Sequence, residues 1–324
     1  MSHTRTMTDQ KDISQQEQTV AKTQIAVCIP TYKRPDGLCR LLAALATQEP
    51  LPNCQVTIVV IDNESSPRTK AICNEFALKL RFPLRYCSEH RRGLSYVRNK
   101  AVEVAREFAD ALAFIDDDEV PLPEWLIQLA ACQKTYLADA VTGPVLPHFM
   151  AHVSQWIRAG KFFERPRYGT GTVLPEARTG NVLIRMEVFD RIGNFDDRFA
   201  LSGGEDMDFF VRLHESGGLI CWSDEAVVEE WVPPSRTNLK YILEGAYRRA
   251  NVNALRSCGS PKGSLLHCVR GGLRSMKGVY LLLASLNSGK VEAAKALQRV
   301  WSGAGFIAGA AGRRYEQYRT VHSV

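Results

Sequence analysis

Two clusters of acidic residues in this sequence have the composition of a reactive site. The first runs from Asp116 to Glu119 without a break and follows the almost wholly apolar stretch 111–115. Carboxylates this close repel one another, and an apolar neighbour cannot bury them at low cost. Mg²⁺ and Mn²⁺ prefer oxygen ligands from carboxylates, phosphates and water. The cluster therefore predicts a metal site that also binds a diphosphate, although a solvated turn or a helix start would explain the same residues.

The second cluster lies in "GGEDMDF", residues 203–209. The paired glycines permit a tight loop, after which Glu205 and Asp206 begin a helix. A simple helix cap would be worth ~1 kcal/mol. The functional interpretation is a general base that the helix start holds near the metal. One acidic cluster for a metal and another for proton removal suit a group transfer with a diphosphate leaving group.

The elements that must position these acids form a regular alternation. Because βαβ alternation is typical of parallel sheets, we predict a doubly wound, mostly parallel α/β sheet with helices on both faces. Such sheets bind ligands at the carboxyl ends of their strands, where the first cluster lies. The strands are predicted at 25–30, 55–62, 84–88 and 111–116, and the helices at 36–48, 66–80, 94–108 and 123–137.

The second half of the chain is less regular. Residues 151–175 break the pattern and are predicted to form a long functional loop or a short-helix insertion. Strand and helix character returns at 179–199 and 203–217, and the chain beyond Asn238 looks helical, with breaks near 257–264 and 287–290. The predicted organisation is a disordered polar tail (1–24), an α/β domain (25–256) and a basic amphipathic helical extension (257–324).

Composition excludes several classes of protein. A chain of 324 residues with 45% hydrophobic residues can bury a substantial core. Its nine cysteines are scattered without a CxxC pair, which favours reduced thiols in the cytoplasm over a disulfide scaffold or a zinc site. No signal peptide is predicted, and no apolar run approaches the ~20 residues that cross a bilayer.

Charge is unevenly distributed along the chain. Residues 240–324 contain 14 basic and 3 acidic residues, whereas the rest contains 27 and 32. Such a basic extension predicts an anionic partner, and no nucleic acid is expected. An apolar stripe flanked by Arg270, Arg274 and Lys277 predicts a helix lying on the anionic inner face of the cytoplasmic membrane; packing against the rest of the protein is the alternative. A second, small-residue apolar face within 299–319, followed by Arg313 and Arg314, is predicted to add to the same membrane contact. The first stripe consists of Leu266, Val269, Leu273, Met276, Tyr280 and Leu283.

Six motifs, in order along residues 25–256, resemble those of the family 2 glycosyltransferases, which have the GT-A fold. The resemblance is strongest to the bacterial branch that includes succinoglycan-type exopolysaccharide glucosyltransferases. A further segment, "VVEEWVPPSR", is similar to one in which His often precedes the Glu; here Glu229 stands in its place. The six motifs are "VCIPTYKRPDGLCRLLAAL", "IVVIDNES", "RRGLSYVRNKAV", "FIDDDEVPLPEWL", "TGNVLIR" and "GGEDMDFFVRL".

The resemblance implies roles for residues on the donor side. Asp62 would accept a hydrogen bond from the nucleotide base, unless it only forms an Asx turn. Arg98 would approach the phosphates or brace the aspartates. Asp116 would contact the ribose, Asp118 would hold Mg²⁺ or Mn²⁺ with help from Asp116, and Asp117 would share either role. The nucleotide pocket would be lined by Pro30, Thr31, Tyr32 and Arg34.

It also implies roles on the acceptor side. Asp206 would be the general base, with Glu205 positioning it or the acceptor. Glu229 or Glu230 would complete the metal or acceptor shell, and Arg236 would meet the diphosphate or an acceptor phosphate. The implied activity is an inverting transfer of a sugar from a nucleotide-sugar, UDP-hexose above all, to a lipid-linked saccharide or other polysaccharide acceptor. The implied location is cytoplasmic, peripheral on the inner face of the membrane.

Three alternatives remain at this point. A haloacid-dehalogenase-type phosphatase would use Asp116 as its nucleophile, but that motif normally opens its domain on the first strand. A sugar nucleotidyltransferase would need a Gly-rich opening loop, which "PTYKRP" does not provide. A catalytically inactive nucleotide-binding adaptor at a membrane would not need Glu205 and Asp206.

Overall fold

A computed structural model describes residues 22–257, 261–285 and 289–316 of the chain. Its larger sheet has seven strands in the order β3-β2-β1-β4-β8-β6-β9, and only β8 runs antiparallel to its neighbours. This confirms the predicted mostly parallel sheet. The strands are β1 (Thr23–Thr31), β2 (Cys54–Asp62), β3 (Leu84–Ser88), β4 (Ala111–Ile115), β5 (Glu119–Pro121), β6 (Ala140–Thr142), β7 (Val145–Phe149), β8 (Asn181–Arg185), β9 (Ile220–Trp222) and β10 (Val228–Val232).

The four helices predicted before residue 140 are confirmed, with ends within three residues of the predicted ones. The 151–175 segment contains one short helix, α5. The predicted tail lies mostly outside the described residues, but β1 already begins at Thr23. The helices are α1 (Pro35–Ala46), α2 (Pro67–Ala77), α3 (Leu94–Ala105), α4 (Trp125–Tyr136), α5 (Gln155–Gly160), α6 (Met186–Ile192), α7 (Glu205–Glu215), α8 (Leu239–Ser257), α9 (Pro261–Ala284) and α10 (Lys290–Ala310).

Both faces of the larger sheet are buried under helices. Successive side chains of a strand point to opposite faces, so β1 contributes to two separate cores. Val27 packs in the same core as Leu41 of α1. Cys28 packs in the other core, with Val102 of α3. This two-sided burial explains why β1, β2 and β4 contain long apolar runs that could be recognised in the sequence.

A second sheet, with strand order β5-β10-β7, stands beside the carboxyl ends of β1 and β4. The sequence did not predict it, because β5 has three residues and β10 reads "VEEWV". Helix α1 approaches this sheet closely. A Cβ atom at Gly37 would lie 2.4 Å from the carbonyl oxygen of Asp117, so only glycine permits the approach.

The C-terminal helices pack through small residues. A Cβ atom at Gly303 of α10 would lie 2.4 Å from the carbonyl oxygen of Gly271 in α9. One at Gly305 would lie 2.2 Å from the carbonyl oxygen of Tyr247 in α8. Helix α10 therefore fits tightly between α8 and α9, and Ile242 of α8 joins a small core with residues of the 151–175 segment. The predicted domain boundary falls at the end of α8.

The large apolar side chains of α9 do not take part in this packing. All six residues of the predicted stripe are exposed, from 51% in Val269 to 70% in Met276. Leu265 and Val279 extend the same exposed surface, which we call the α9 face. Within the described part of the chain, no helix is long and apolar enough to span a bilayer.

Candidate active site

The first acidic cluster forms a tight turn directly after β4. The amide of Glu119 donates to the carbonyl oxygen of Asp116 at 3.0 Å, and the amide of Asp116 donates to Glu119 Oε2 at 3.1 Å. Glu119 is buried, and burial, together with the charge of Asp116, raises its pKa well above the usual value. Glu119 had no predicted role, yet it closes this turn. We call residues 116–119 the aspartate turn.

Two arginines bind Asp118. The Nη1 atoms of Arg34 and Arg236 each lie 2.9 Å from its Oδ2 atom. Burial alone would raise the pKa of Asp118, but the two guanidinium groups outweigh it and lower the pKa below its usual value. Asp118 is therefore held ionised at the end of β4, where it was predicted to bind a metal.

Asp117 ties the aspartate turn to the end of β1. Its Oδ2 atom accepts from Thr31 Oγ1 at 2.9 Å and from the amide of Tyr32 at 3.4 Å, and its Oδ1 atom accepts from Arg34 Nη1 at 2.9 Å. Burial raises the pKa of Asp117 to about 6, against the opposing effect of Arg34. Both oxygens are engaged by protein donors, so Asp117 fixes the turn in place.

Arg98 joins the two acidic clusters. Its guanidinium lies 3.2 Å from Asp116 Oδ1 and also forms an ion pair with Glu205. Arg98 and Glu205 are buried, whereas 35% of the Asp116 side chain is accessible. Burial raises the pKa of Glu205 to about 7, with Arg98 opposing the shift. Of the two predicted roles for Arg98, its contacts correspond to bracing the aspartates.

Asp206 is more accessible than Glu205 at the start of α7. It is half-buried, and its Oδ1 atom accepts a 2.7 Å hydrogen bond from the amide of Met207. Glu205 holds Arg98, and Arg98 holds Asp116. Residues almost ninety positions apart in the sequence are thus brought together, with Asp206 beside them.

Asp62 lies at the end of β2, beside Thr31 of β1. It is fully buried, and its oxygens accept from the Tyr86 hydroxyl at 3.0 Å and from the amides of Glu64 and Ser66 at 2.8 and 2.7 Å. The Asx-turn alternative is therefore present in the structure. A shallow pocket opens next to it, lined by Lys33, Pro35, Glu64, Ser66, Arg68 and Thr69. Pro30 is buried within β1, one residue from this edge.

The two glutamates of β10 point in opposite directions. Glu230 faces the aspartate turn: its oxygens lie 3.4 Å from Arg236 Nη1 and 2.8 Å from Arg165 Nη2. Glu229 instead lies 3.4 Å from His148 Nδ1 of β7. Since neighbouring residues of a strand face opposite sides, only Glu230 reaches the site. Arg165, from the 151–175 segment, was not predicted as a site residue, and no pattern in the sequence marks it.

The site's charges and donor atoms fit a divalent cation. Among the described residues, no group of three or more His, Cys, Asp or Glu side chains is arranged to hold a metal. Mg²⁺ and Mn²⁺ often use only one or two carboxylates and complete their shell with substrate phosphates and water. Asp116 and Asp118 supply such a pair. The surrounding acids also outnumber the contacting arginines by six to four: Asp116, Asp117, Asp118, Glu119, Glu205 and Glu230 against Arg34, Arg98, Arg165 and Arg236.

Comparison with known proteins identifies the family. A family model described as "Glycosyl transferase family 2" matches residues 26–193, from β1 through the aspartate turn to α6. The succinoglycan biosynthesis protein ExoM of Rhizobium meliloti (strain 1021) is 32% identical over 262 residues, which cover 79% of each chain. The chain belongs to glycosyltransferase family 2. A second model, described as "N-terminal domain of galactosyltransferase", matches residues 164–227.

Other relatives and solved structures agree with this assignment. A glucosyl-dolichyl phosphate glucuronosyltransferase of Haloferax volcanii is 27% identical over 242 residues, 68% of this chain and 73% of the relative. The mannosyltransferase PcManGT of Pyrobaculum calidifontis, solved with GDP-Man and Mn²⁺, has a TM-score of 0.55 at 17% identity and covers 92% of this chain and 77% of its own. S. aureus TarS 1-349 with UDP-GlcNAc has a TM-score of 0.52 at 18% identity, and the match covers 91% of this chain and 93% of the TarS chain. The predicted family and GT-A fold are confirmed.

Proposed function

We propose that this glycosyltransferase moves a sugar from UDP-hexose to a lipid-linked saccharide during exopolysaccharide or cell-envelope synthesis, with inversion at the anomeric carbon. One observation carries the proposal: Arg98 joins Asp116 of the aspartate turn to Glu205, so that Asp206 stands beside the turn. The similarity to ExoM supports a role in polysaccharide synthesis. The TarS structure with UDP-GlcNAc supports a UDP-linked donor.

On the donor side, Asp116 and Asp118 are the proposed ligands of Mg²⁺ or Mn²⁺. The cation, when bound, would neutralise negative charge on the departing diphosphate. The Mn²⁺ complexes of PcManGT and GalNAc-T7 support a metal of this kind. Arg34 and Arg236 fix the orientation of Asp118 and keep its carboxyl group ionised. A cation requires the ionised form of its carboxylate ligands.

The nucleotide would lie along the ends of β1 and β2. The pocket beside Asp62 is the proposed place for the base, next to Pro30, Thr31 and Tyr32. Thr31 and Arg34 already bond to Asp117, so their proposed contribution is to hold the turn against the nucleotide.

Asp206 is the proposed general base. It would take the proton of the acceptor hydroxyl as that oxygen bonds to the anomeric carbon and the bond from this carbon to the diphosphate breaks. Asp206 is accessible, whereas Glu205 is 2% exposed and held by Arg98. Glu205 would therefore position Arg98 and Asp116. This single displacement inverts the anomeric carbon and needs no covalent intermediate on the protein.

The acceptor is proposed to be held at a membrane. The α9 face exposes large apolar side chains, of which Leu266, Met276 and Tyr280 are 66–70% accessible. Arg270, Arg274 and Lys277 are exposed on the same helix, and α9 contains no acidic residue. An apolar face flanked by cations suits a helix lying in the interface of an anionic bilayer. Because the small residues of α10 are used in packing, α9 is the proposed contact.

The test is product formation from a panel of UDP-, GDP- and dTDP-hexoses with a diphosphate-linked saccharide acceptor, with Mn²⁺ or with EDTA. We expect transfer from a UDP-hexose that needs both Mn²⁺ and acceptor. Tight UDP binding without transfer to any acceptor would favour the inactive adaptor instead. Release of inorganic phosphate from sugar phosphates would favour the phosphatase alternative.

A further inference from the structure

A stack of side chains lies on the side of the second sheet that faces away from the aspartate turn. Because neighbouring residues of a strand alternate, the side chain of Trp231 is on the opposite side of β10 from Glu230. Trp231 and His148 of β7 are register partners, and their rings stack with centroids 4.5 Å apart at an interplanar angle of 16°. The guanidinium carbon of Arg40, from α1, lies 4.7 Å from the centre of the Trp231 ring. We call Arg40, His148 and Trp231 the tryptophan stack.

The main chain of Trp231 holds the aspartate turn. Its amide donates to the carbonyl oxygen of Asp118 at 2.8 Å. Further along the chain, directly after β10, Arg236 lies 2.9 Å from the carboxylate of Asp118. One stretch of chain therefore holds Asp118 twice, by its backbone and by its side chain. The position of β10 decides where Asp118 lies.

Helix α1 holds the same turn from another direction. Arg40 lies one helical turn after Gly37, where α1 approaches the carbonyl oxygen of Asp117 closely. Arg34, directly before α1, binds the carboxylates of Asp117 and Asp118. The tryptophan stack therefore joins two elements, α1 and β10, that both contact the turn.

The tryptophan stack contains two polar atoms that are poorly suited to burial. Trp231 Nε1 and Arg40 Nε are buried, and neither has a hydrogen-bond partner among the described residues. An unpaired buried donor costs free energy, which the cation–π contact and the ring stacking offset only in part. An apolar side chain at either position would avoid that cost. Departures of this kind are expected at functional sites, so the stack is assigned a role beyond packing.

We propose that Trp231 is a positioning residue for Asp118. Its stack with His148 and Arg40 fixes β10, and β10 holds the backbone and carboxylate of Asp118 in the orientation that a cation needs. Trp231 acts without touching the cation, since its side chain faces away from the turn. The link to a cation rests on the proposed function; the link between the tryptophan stack and the turn does not.

The first experiment uses full-length protein without metal or nucleotide. Amide hydrogen exchange measures the protection of residue 231 in wild type, Trp231→Leu, Trp231→Phe and Arg40→Met. We expect protection to fall about tenfold in Trp231→Leu and Arg40→Met, because β10 loses the contact that fixes it while the amide itself remains. Trp231→Phe keeps an aromatic face for both partners and should stay within about threefold of wild type. The proposal is wrong if Trp231→Leu and Arg40→Met both protect the amide like wild type.

The second experiment measures metal binding and nucleotide binding separately. The Kd for Mn²⁺ is obtained from the electron paramagnetic resonance of the free ion in protein saturated with UDP, and the Kd for UDP is obtained in EDTA. We expect Trp231→Leu to bind Mn²⁺ about tenfold to a hundredfold more weakly, and to bind UDP without metal like wild type. An equal loss of both affinities would make Trp231 a general structural residue and overturn the proposal. If wild type binds no Mn²⁺, the proposed metal site falls, and the exchange result still decides whether the tryptophan stack holds the turn.

Trp301→Leu is the matched control. Trp301 is 41% exposed on α10, outside the tryptophan stack, so its replacement should leave exchange at residue 231 and both Kd values unchanged. The melting temperature of each variant checks folding. Arg40→Met removes the contact from the side of α1 and leaves every residue of the second sheet in place, so it tests the proposal even if Trp231→Leu does not fold.

Discussion

The aspartate turn and the α9 face depart from ordinary folding rules in opposite ways. At the turn, six carboxyl groups cluster around four arginines, most of them at least partly buried. On α9, six large apolar side chains of one stripe are open to solvent. Burying charge and exposing apolar surface both cost free energy. In each region we propose a binding partner that offsets the cost: a cation with a nucleotide diphosphate at the turn, and a lipid surface at α9.

The difference lies in how rigidly each region is held. Arg34, Arg98 and Arg236 each bind acids from distant parts of the chain, so the turn is set before any ligand arrives. The α9 face has no such contacts, and its partner needs no fixed geometry. A preorganised site suits chemistry, and an open apolar face suits a fluid surface. Variants at the turn should therefore affect turnover, and variants on α9 should affect location.

The largest effect is expected from Asp118→Asn. Losing the ionised carboxylate that Arg34 and Arg236 maintain should lower kcat by about 10⁴-fold, since a bound metal contributes several kcal/mol to such reactions. The assay is product formation over a Mn²⁺ titration, with melting temperature as a folding check. Asp36→Asn is the control, because that carboxylate is 67% exposed on α1. Unchanged activity of Asp118→Asn in EDTA would rule out the proposed metal ligand.

Asp206→Asn should have the next largest effect. The amide is nearly isosteric but cannot accept the proton, so kcat should fall about 10³-fold while Kd for UDP stays at the wild-type value. Steady-state kinetics and isothermal titration calorimetry measure the two quantities. Glu215→Gln, at the exposed end of the same helix, removes one carboxylate outside the site and serves as control. Wild-type turnover in Asp206→Asn would show that another residue is the general base.

On α9, the double substitution Leu273→Ser with Met276→Ser should weaken binding to anionic vesicles about 30-fold. Each partly inserted side chain is expected to contribute ~1 kcal/mol of binding free energy, and both contributions are lost. Co-sedimentation measures this, and UDP binding should not change. Leu78→Ser, at a site 90% exposed on the catalytic body, is the matched control. Point substitutions are preferable to removing α9 and α10, because Phe306 of α10 packs in a core with α8. Equal vesicle binding by all three proteins would leave α9 without this role.

The smallest effect concerns the burial of Glu205. Its carboxyl ordinarily ionises near pH 4.5, but burial keeps the proton in the folded protein until about pH 7. The folded state binds more protons in that window, so this group's contribution to stability is full below pH 4.5 and falls as pH rises to about 7. Urea unfolding should show that the free energy of unfolding of wild type decreases by ~1–3 kcal/mol from pH 5 to pH 8. The decrease should be smaller in Glu205→Gln. An identical decrease in both proteins would contradict the shifted pKa.

Sequence predicted the elements whose apolar residues have a clear period. Strand β3 was predicted with its observed ends, and α1 to α4 within three residues. The second sheet was missed because β5 has only three residues and β10 carries two glutamates, so tertiary context forms it. Asp116, Asp118 and Asp206 could be proposed because acids at strand ends and helix starts are local signals. Arg165 could not, because it comes from a segment whose proximity to Glu230 exists only in the fold.

The same limit applies to α9. Its period of three to four residues predicted one apolar face but not where that face points. The direction of that face depends on Gly271 and Gly303, which bring α10 against the opposite side of α9. A hydrophobic stripe normally packs on protein, and here the small residues do the packing.

We propose that the preorganised aspartate turn serves sugar transfer to an acceptor in a membrane. The most direct measurement is transfer of radiolabelled sugar from UDP-hexose to a diphosphate-linked saccharide embedded in anionic vesicles, by full-length protein with Mn²⁺. We expect label in the lipid fraction, linked with inverted anomeric configuration, and stoichiometric UDP release that stops without acceptor. UDP release at the same rate without acceptor, or no label in the lipid from any UDP-hexose, would contradict it.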